Sequence, residues 1–136
     1  MAQFTLDTWP ESRWPSFSFD EMACRETGQC VIDEDMMDRL QDLRERLGKP
    51  VRITSGYRSP EHYIEAAKAK PGAHATGCAV DISCSGDSFE ILRLALELGF
   101  TGIGVSQNGD HRQRFLHLDT IQAEEFHAPR PALWSY

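Results

Sequence analysis

Two stretches of this chain alternate in polarity, and that alternation limits the possible folds more than any other feature. The first is Cys78-Ala79-Val80-Asp81-Ile82-Ser83-Cys84 and the second Phe115-Leu116-His117-Leu118-Asp119-Thr120. Side chains of a strand point to opposite faces in turn. Cys78, Val80, Ile82 and Cys84 therefore share a face suited to a core, while Ala79, Asp81 and Ser83 share the other. In the second stretch Leu116 and Leu118 point inward, and Phe115, His117 and Asp119 point the opposite way. Two such strands require a sheet with one face covered by apolar partners and the other carrying chemistry.

The rest of the chain supplies the cover. Asp33 caps an expected helix over 34–47, in which Met36, Met37, Leu40, Leu43 and Leu47 fall on one face. Gly48 and then Pro50 stop it. A second apolar helix is expected over 88–98, ended by Gly99. Ser18-Phe19-Asp20-Glu21 is a capping box that opens a short helix ending before Gly28. Pro60 suits the first turn of a helix over about 60–68, broken by Lys70-Pro71-Gly72. Residues 51–54 and 101–105 are β-prone runs bounded by Gly and Pro, and Asn108-Gly109-Asp110 marks a hairpin turn. Trp9-Pro10 and Trp14-Pro15 disfavour helix, so residues 1–17 read as an extended arm anchored by two Trp. Residues 122–136, with Pro129, Pro131 and Trp134, read as an irregular tail packed on the surface. With 136 residues the expectation is one domain. Its expected class is α+β: a small antiparallel sheet of about four strands, helices on one face and the chemical groups on the other.

His74 lies seven residues before Asp81 with Gly77 between them, and His117 follows on the second strand. Two imidazoles and a carboxylate are a common ligand set for catalytic zinc, with a fourth position left for water. Taken singly, His74 is a loop histidine, Asp81 a strand end and His117 a satisfied core histidine. Taken together, a carboxylate inside an apolar strand needs a partner, because a buried unpaired charge is costly. Asp119, on the same face as His117, is placed to orient that imidazole. Cys24, Cys30, Cys78 and Cys84 read as reduced thiols, with a disulfide or second metal site at Cys24/Cys30 as the alternative. Strand parity separates Cys78 and Cys84 from Asp81. The net charge of −7 argues against nucleic acid as a partner. No apolar run approaches the ~20 residues of a membrane span, and Met1–Pro10 lacks the pattern of a secretory signal. A monomer made in the cytoplasm is expected.

Ser55-Gly56-Tyr57-Arg58-Ser59-Pro60, then His74-x-x-Gly77-x-Ala79-x-Asp81-Ile82, then Phe115-x-His117-x-Asp119 resembles the zinc-dependent D-alanyl-D-alanine carboxypeptidase family. That family is grouped with the lysostaphin-type peptidases and the hedgehog signalling domain. The resemblance covers roughly residues 18–121 and is strongest to small single-domain members of phages and bacteria that cut peptidoglycan peptides. It implies Zn2+ held by His74, Asp81 and His117, and Arg58 binding substrate and stabilising charge at the scissile carbonyl. Tyr57, beside it, is a candidate substrate contact with packing as the alternative.

Two departures bear on catalysis. Many members carry Ser two residues before the first His, where this chain has Gly72. Others have a His two residues, or a carboxylate three residues, before the last ligand, where this chain has Phe115 and Arg114. Candidates for the general base are therefore Asp119, Asp110 and His111. The expected activity is hydrolysis of peptidoglycan peptide bonds, as a D,D-carboxypeptidase or an endolysin-type endopeptidase at the cell wall. The alternative is an inactive zinc-binding module or a virion structural domain of the same fold.

Overall fold

The structure, a computed structural model, describes residues 1–136. Its centre is a five-stranded sheet of β3 (Arg52–Ser55), β4 (Ala79–Ser83), β5 (Gly102–Ser106), β6 (Phe115–Asp119) and β7 (Ala132–Ser135). The spatial order is β3-β4-β6-β5-β7, antiparallel throughout except for the parallel pair β5–β7. A two-stranded ribbon of β1 (Ala2–Phe4) and β2 (Cys30–Ile32) stands apart from it. The class is α+β, as the alternation required.

Strand parity resolves as expected. Val80, Ile82, Leu116 and Leu118 are buried in the hydrophobic core, where Ile53 and Ile103 of the neighbouring strands join them. The cover on that face comes from α2 (Glu34–Leu47) and α4 (Ser88–Glu97). From α2 the buried apolar residues are Met36, Met37, Leu40 and Leu43, and from α4 they are Ile91, Leu94 and Ala95. The Asp33 side chain accepts from Met36 N–H at 2.9 Å, and Gly48 ends α2 in the left-handed conformation. The short α1 (Phe19–Met22) has the full capping box between Ser18 and Glu21.

Other expectations change. The helix expected over 60–68 contracts to one turn, α3 (Tyr63–Ala66), because Pro60 and the residues after it form turns. The connection over 107–114 is longer than a tight hairpin and holds a 3-10 turn at His111–Gln113. The N-terminal segment makes turns where an extended arm was expected, while its two Trp do anchor it: Trp9 and Trp14 are buried, and their ring N–H groups donate to Phe17 O and Asp38 Oδ1, each at 2.9 Å. The largest correction lies in the tail. Residues 132–135 are not irregular but form edge strand β7, with Gly102 opposite Ala132 and Gly104 opposite Trp134. All four cysteines are buried free thiols.

Candidate metal centre

Pairing of β4 with β6 sets Asp81 directly across from His117, on the face away from the helices. His74 reaches them from a 3-10 turn, Ala73–Thr76, that leads into β4. One ligand atom from each of His74, Asp81 and His117 lies within 4.8 Å of the other two. Asp81 Oδ1 stands 3.3 Å from His74 Nε2 and 3.1 Å from His117 Nδ1. Metal–ligand bonds of ~2.0–2.2 Å at tetrahedral angles would separate ligand atoms by roughly 3.3 Å, so the spacing fits.

The far side of each imidazole is fixed by an acceptor. His74 Nδ1 is 2.8 Å from Gly56 O, and His117 Nε2 is 2.8 Å from Asp119 Oδ2. Neither oxygen has a proton to give, so each of those nitrogens is the one that carries hydrogen. The lone pairs at His74 Nε2 and His117 Nδ1 are thereby turned toward Asp81. Outer acceptors of this kind set tautomer and orientation in metal-binding histidines. The donor set thus suits zinc, which takes neutral imidazole and carboxylate ligands.

Electrostatics follow the geometry. Burial pushes the Asp81 carboxyl up, but without a metal the protonated forms of His117 and His74 donate to it and attract it, which outweighs burial and holds the group well below the carboxylate range. For His117, burial pushes the imidazole down, and the Asp119 and Asp81 carboxylates more than reverse this, leaving it above its ordinary value.

Asp119 does not stand in the cleft. It is fully buried behind His117, and its two oxygens accept from Arg130 Nε at 2.9 Å and Nη2 at 2.8 Å. Such a forked pair is strong and directional. Arg130 itself lies 5.1 Å from the ring centroids of both Phe126 and Trp134. Trp134 lies 5.2 Å from the His117 ring. Two glycines of β5 make this layer possible. A side chain at Gly102 would run into the Asp119 carboxylate, and a Cβ at Gly104 would lie 2.5 Å from Trp134 Nε1. Arg130, Trp134 and Tyr136 are the contacts that sequence reasoning missed. The one signal for them was a buried carboxylate in need of a cation, with Arg130 in the tail.

The cleft over the three ligands measures about 350 Å³. Beside the ligands, its lining includes Arg58, Lys68, Phe115, Trp134 and Tyr136. Arg58 thus lines the cleft. Tyr57 does not: it is buried. Two other expectations also fail to reach it. His111 Nδ1 is 2.6 Å from Ser85 Oγ in an exposed turn, and Asp110 caps that turn and pairs with Arg112. Together with the buried position of Asp119, this leaves Asp81 as the sole carboxylate among the cleft-lining residues.

No helix is long and apolar enough to cross a membrane. No curated protein matches the chain significantly. A family model described as Peptidase M15 matches residues 15–119, from just after the buried Trp14 to the end of β6. The span contains all three candidate ligands, Arg58 and the Asp119 that supports His117. On that match, the chain belongs to the Peptidase M15 family, the group of zinc D-Ala-D-Ala carboxypeptidase-like enzymes.

Proposed function

We propose that this protein is a zinc peptidase that hydrolyses peptide bonds of peptidoglycan, as a D,D-carboxypeptidase or endopeptidase, with His74, Asp81 and His117 as the metal ligands. The observation that carries the reading is the convergence of His74 Nε2, Asp81 Oδ1 and His117 Nδ1 in an open cleft. Membership of a peptidase family supplies the reaction class. Peptidoglycan as substrate and the cell wall as the place of action are parts of the same proposal.

Bound zinc would polarise the scissile carbonyl and make a water acidic enough to attack near neutral pH. The chain's own residues prepare that chemistry. Asp119 and Gly56 hold the two imidazoles in the ligating tautomer, so neither ring has to reorient. Arg58 offers a permanently charged planar fork to the carbonyl oxygen as negative charge develops there. The aromatic rings of Phe115, Trp134 and Tyr136 in the cleft lining narrow the access of bulk water and strengthen charge interactions inside.

A second reading, a zinc-binding module without hydrolysis, is favoured by one feature: the cleft has no carboxylate beyond the ligand Asp81 to take a proton from the attacking water. Incubation of zinc-loaded protein with purified peptidoglycan separates the two. Release of peptides or D-alanine by the wild type, abolished in His117→Ala, supports the peptidase. Stoichiometric zinc with no product at any pH between about 5 and 9 supports the module.

A further inference from the structure

Outside the ligand set, the cleft-lining side chains that carry hydrogen-bond donors are Arg58, Lys68, Trp134 and Tyr136. The two cations are already engaged by a carboxylate that sequence reasoning did not single out. The Glu65 side chain is fully buried, with Oε2 at 3.0 Å from Lys68 Nζ and 3.5 Å from Arg58 Nη1. Its Oε1 accepts from Gly72 N–H at 2.6 Å. Tyr136 differs, because it is fastened by its backbone and its ring. Its N–H donates to Val105 O at 3.2 Å, and its ring centroid lies 5.1 Å from that of Phe115. The hydroxyl is left free to donate, and with the residue 59% exposed a ligand can reach it.

Gly104 decides where that phenol sits. It stands across from His117 in the pairing of β5 with β6. A Cβ there would lie 2.5 Å from Trp134 Nε1 and 2.9 Å from Tyr136 Cε2. Cε2 is bonded to the ring carbon that bears the hydroxyl, so the hydroxyl end of Tyr136 lies over bare backbone next to a metal ligand. The Trp134 indole N–H faces the Tyr136 oxygen as a donor. An indole can only donate, so the phenol accepts there and keeps its own hydrogen for a ligand. Burial and the Asp81 carboxylate push the phenol up, against the opposing pull of Trp134 and Arg58. The group is therefore a neutral donor around pH 7.

We propose that Tyr136 is a catalytic residue whose hydroxyl donates a hydrogen bond to an oxygen of the tetrahedral adduct formed when water adds to the scissile carbonyl, with Trp134 as its positioning residue. The inference rests on the peptidase reading of the same cleft and adds a participant to it. Both residues lie beyond the span 15–119 that the family model matches. A planar amide presents one oxygen, whereas the adduct presents two and carries the negative charge. A donor that meets the adduct better than the amide lowers the barrier rather than tightening substrate binding. One already held in place does so without reorganising. The phenol keeps its proton throughout. The attacking water supplies the second oxygen of the new carboxylate and both protons that turn the leaving nitrogen into an ammonium.

The test uses the zinc-loaded full chain, with variants compared at equal zinc content. A purified cross-linked muropeptide is the substrate, since it offers carboxypeptidase and endopeptidase bonds together. A D-Ala-D-Ala phosphinate, whose two oxygens copy the tetrahedral adduct, is the binding probe in calorimetry. Tyr136→Phe keeps the ring and removes only the hydroxyl. It should lower kcat about a hundredfold with KM within about twofold, and weaken the phosphinate by a similar factor. Trp134→Phe, which removes the indole N–H, should give a smaller loss in the same two quantities, again without a rise in KM. A folded Tyr136→Phe with the kcat and phosphinate affinity of the wild type overturns the proposal, and a loss confined to Tyr136→Ala would then trace to ring packing. A rise in KM at unchanged kcat overturns it as well. Either result leaves the peptidase reading standing. Phosphinate binding that Tyr136→Phe weakens, with no hydrolysis by the wild type, would do the reverse. A wild type that neither hydrolyses the muropeptide nor binds the phosphinate overturns both.

Discussion

The centre depends most on a side chain that never meets the cleft. Asp119 fixes the His117 tautomer through Oδ2 and is itself clamped by Arg130. Asp119→Asn keeps the shape and removes the charge, leaving Arg130 buried without its anion. Loss of an outer carboxylate of this kind lowers metal affinity about 10–100-fold. Breaking a buried ion pair from one side costs about 3–5 kcal/mol. A zinc-competition titration and a urea melt check the two effects. Burial pushes the Asp119 carboxyl up, and His117 and Arg130 overcome that and hold it below the ordinary value of an aspartate. Its contribution to stability is thus complete above the unfolded value of about 4 and lost as pH falls through the lower, folded value. The wild type should unfold in acid with a proton uptake that Asp119→Asn lacks, read from the pH dependence of the urea midpoint. The metal-free His117 behaves in the opposite sense. Its imidazole is held above its ordinary value, so metal must displace a proton from it. Zinc affinity should fall as pH drops through the raised value of this imidazole, and calorimetry in buffers of different ionisation enthalpy should show proton release on binding.

Among the elements, β7 departs furthest from expectation and has the clearest consequence. Its residues 132–135 form a parallel edge strand on β5, and Trp134 and Tyr136 complete the cleft wall. A four-residue parallel edge strand has no local signature. Its partner is distant in sequence, and Pro129 and Pro131 beside it read as loop. The same holds for β1 and β2, three residues each, whose pairing is a tertiary event. By contrast β4 and β6 are legible in the sequence, because each has a core face and a chemical face that only one register can satisfy. Parity alone therefore puts Asp81 and His117 on one face, whereas no local pattern marks Arg130 or Glu65. Arg130 reaches Asp119 only through the tail's fold, and Glu65 is buried by a one-turn helix expected to be longer. Gly104→Leu tests the β7 layer. Its side chain would collide with Trp134 and lift the strand, destabilising by about 1–3 kcal/mol. Near-ultraviolet circular dichroism should report the loss of the Trp134 environment, and a thermal melt the loss of stability.

For the whole molecule, one face of the sheet is a hydrophobic core and the other a small polar site held by a polar layer beneath it. The core depends on burial and does not need a metal. The site gathers Asp81, Asp119 and Glu65 around fixed positive or proton-bearing groups. Metal that binds only the folded state should therefore add to stability in proportion to the logarithm of its concentration. The increment is about 2.7 kcal/mol at a hundredfold excess over Kd. Chelation should lower the melting temperature without unfolding the chain at about 25 °C, which distinguishes a site built onto a core from a fold that zinc itself nucleates. The most direct measurement is the metal content of purified, folded protein by mass spectrometry, for the wild type and for His74→Ala, Asp81→Ala and His117→Ala. Close to one zinc per chain is expected in the wild type and a small fraction of that in each variant. A wild type without zinc, or one equivalent retained in all three folded variants, would contradict it.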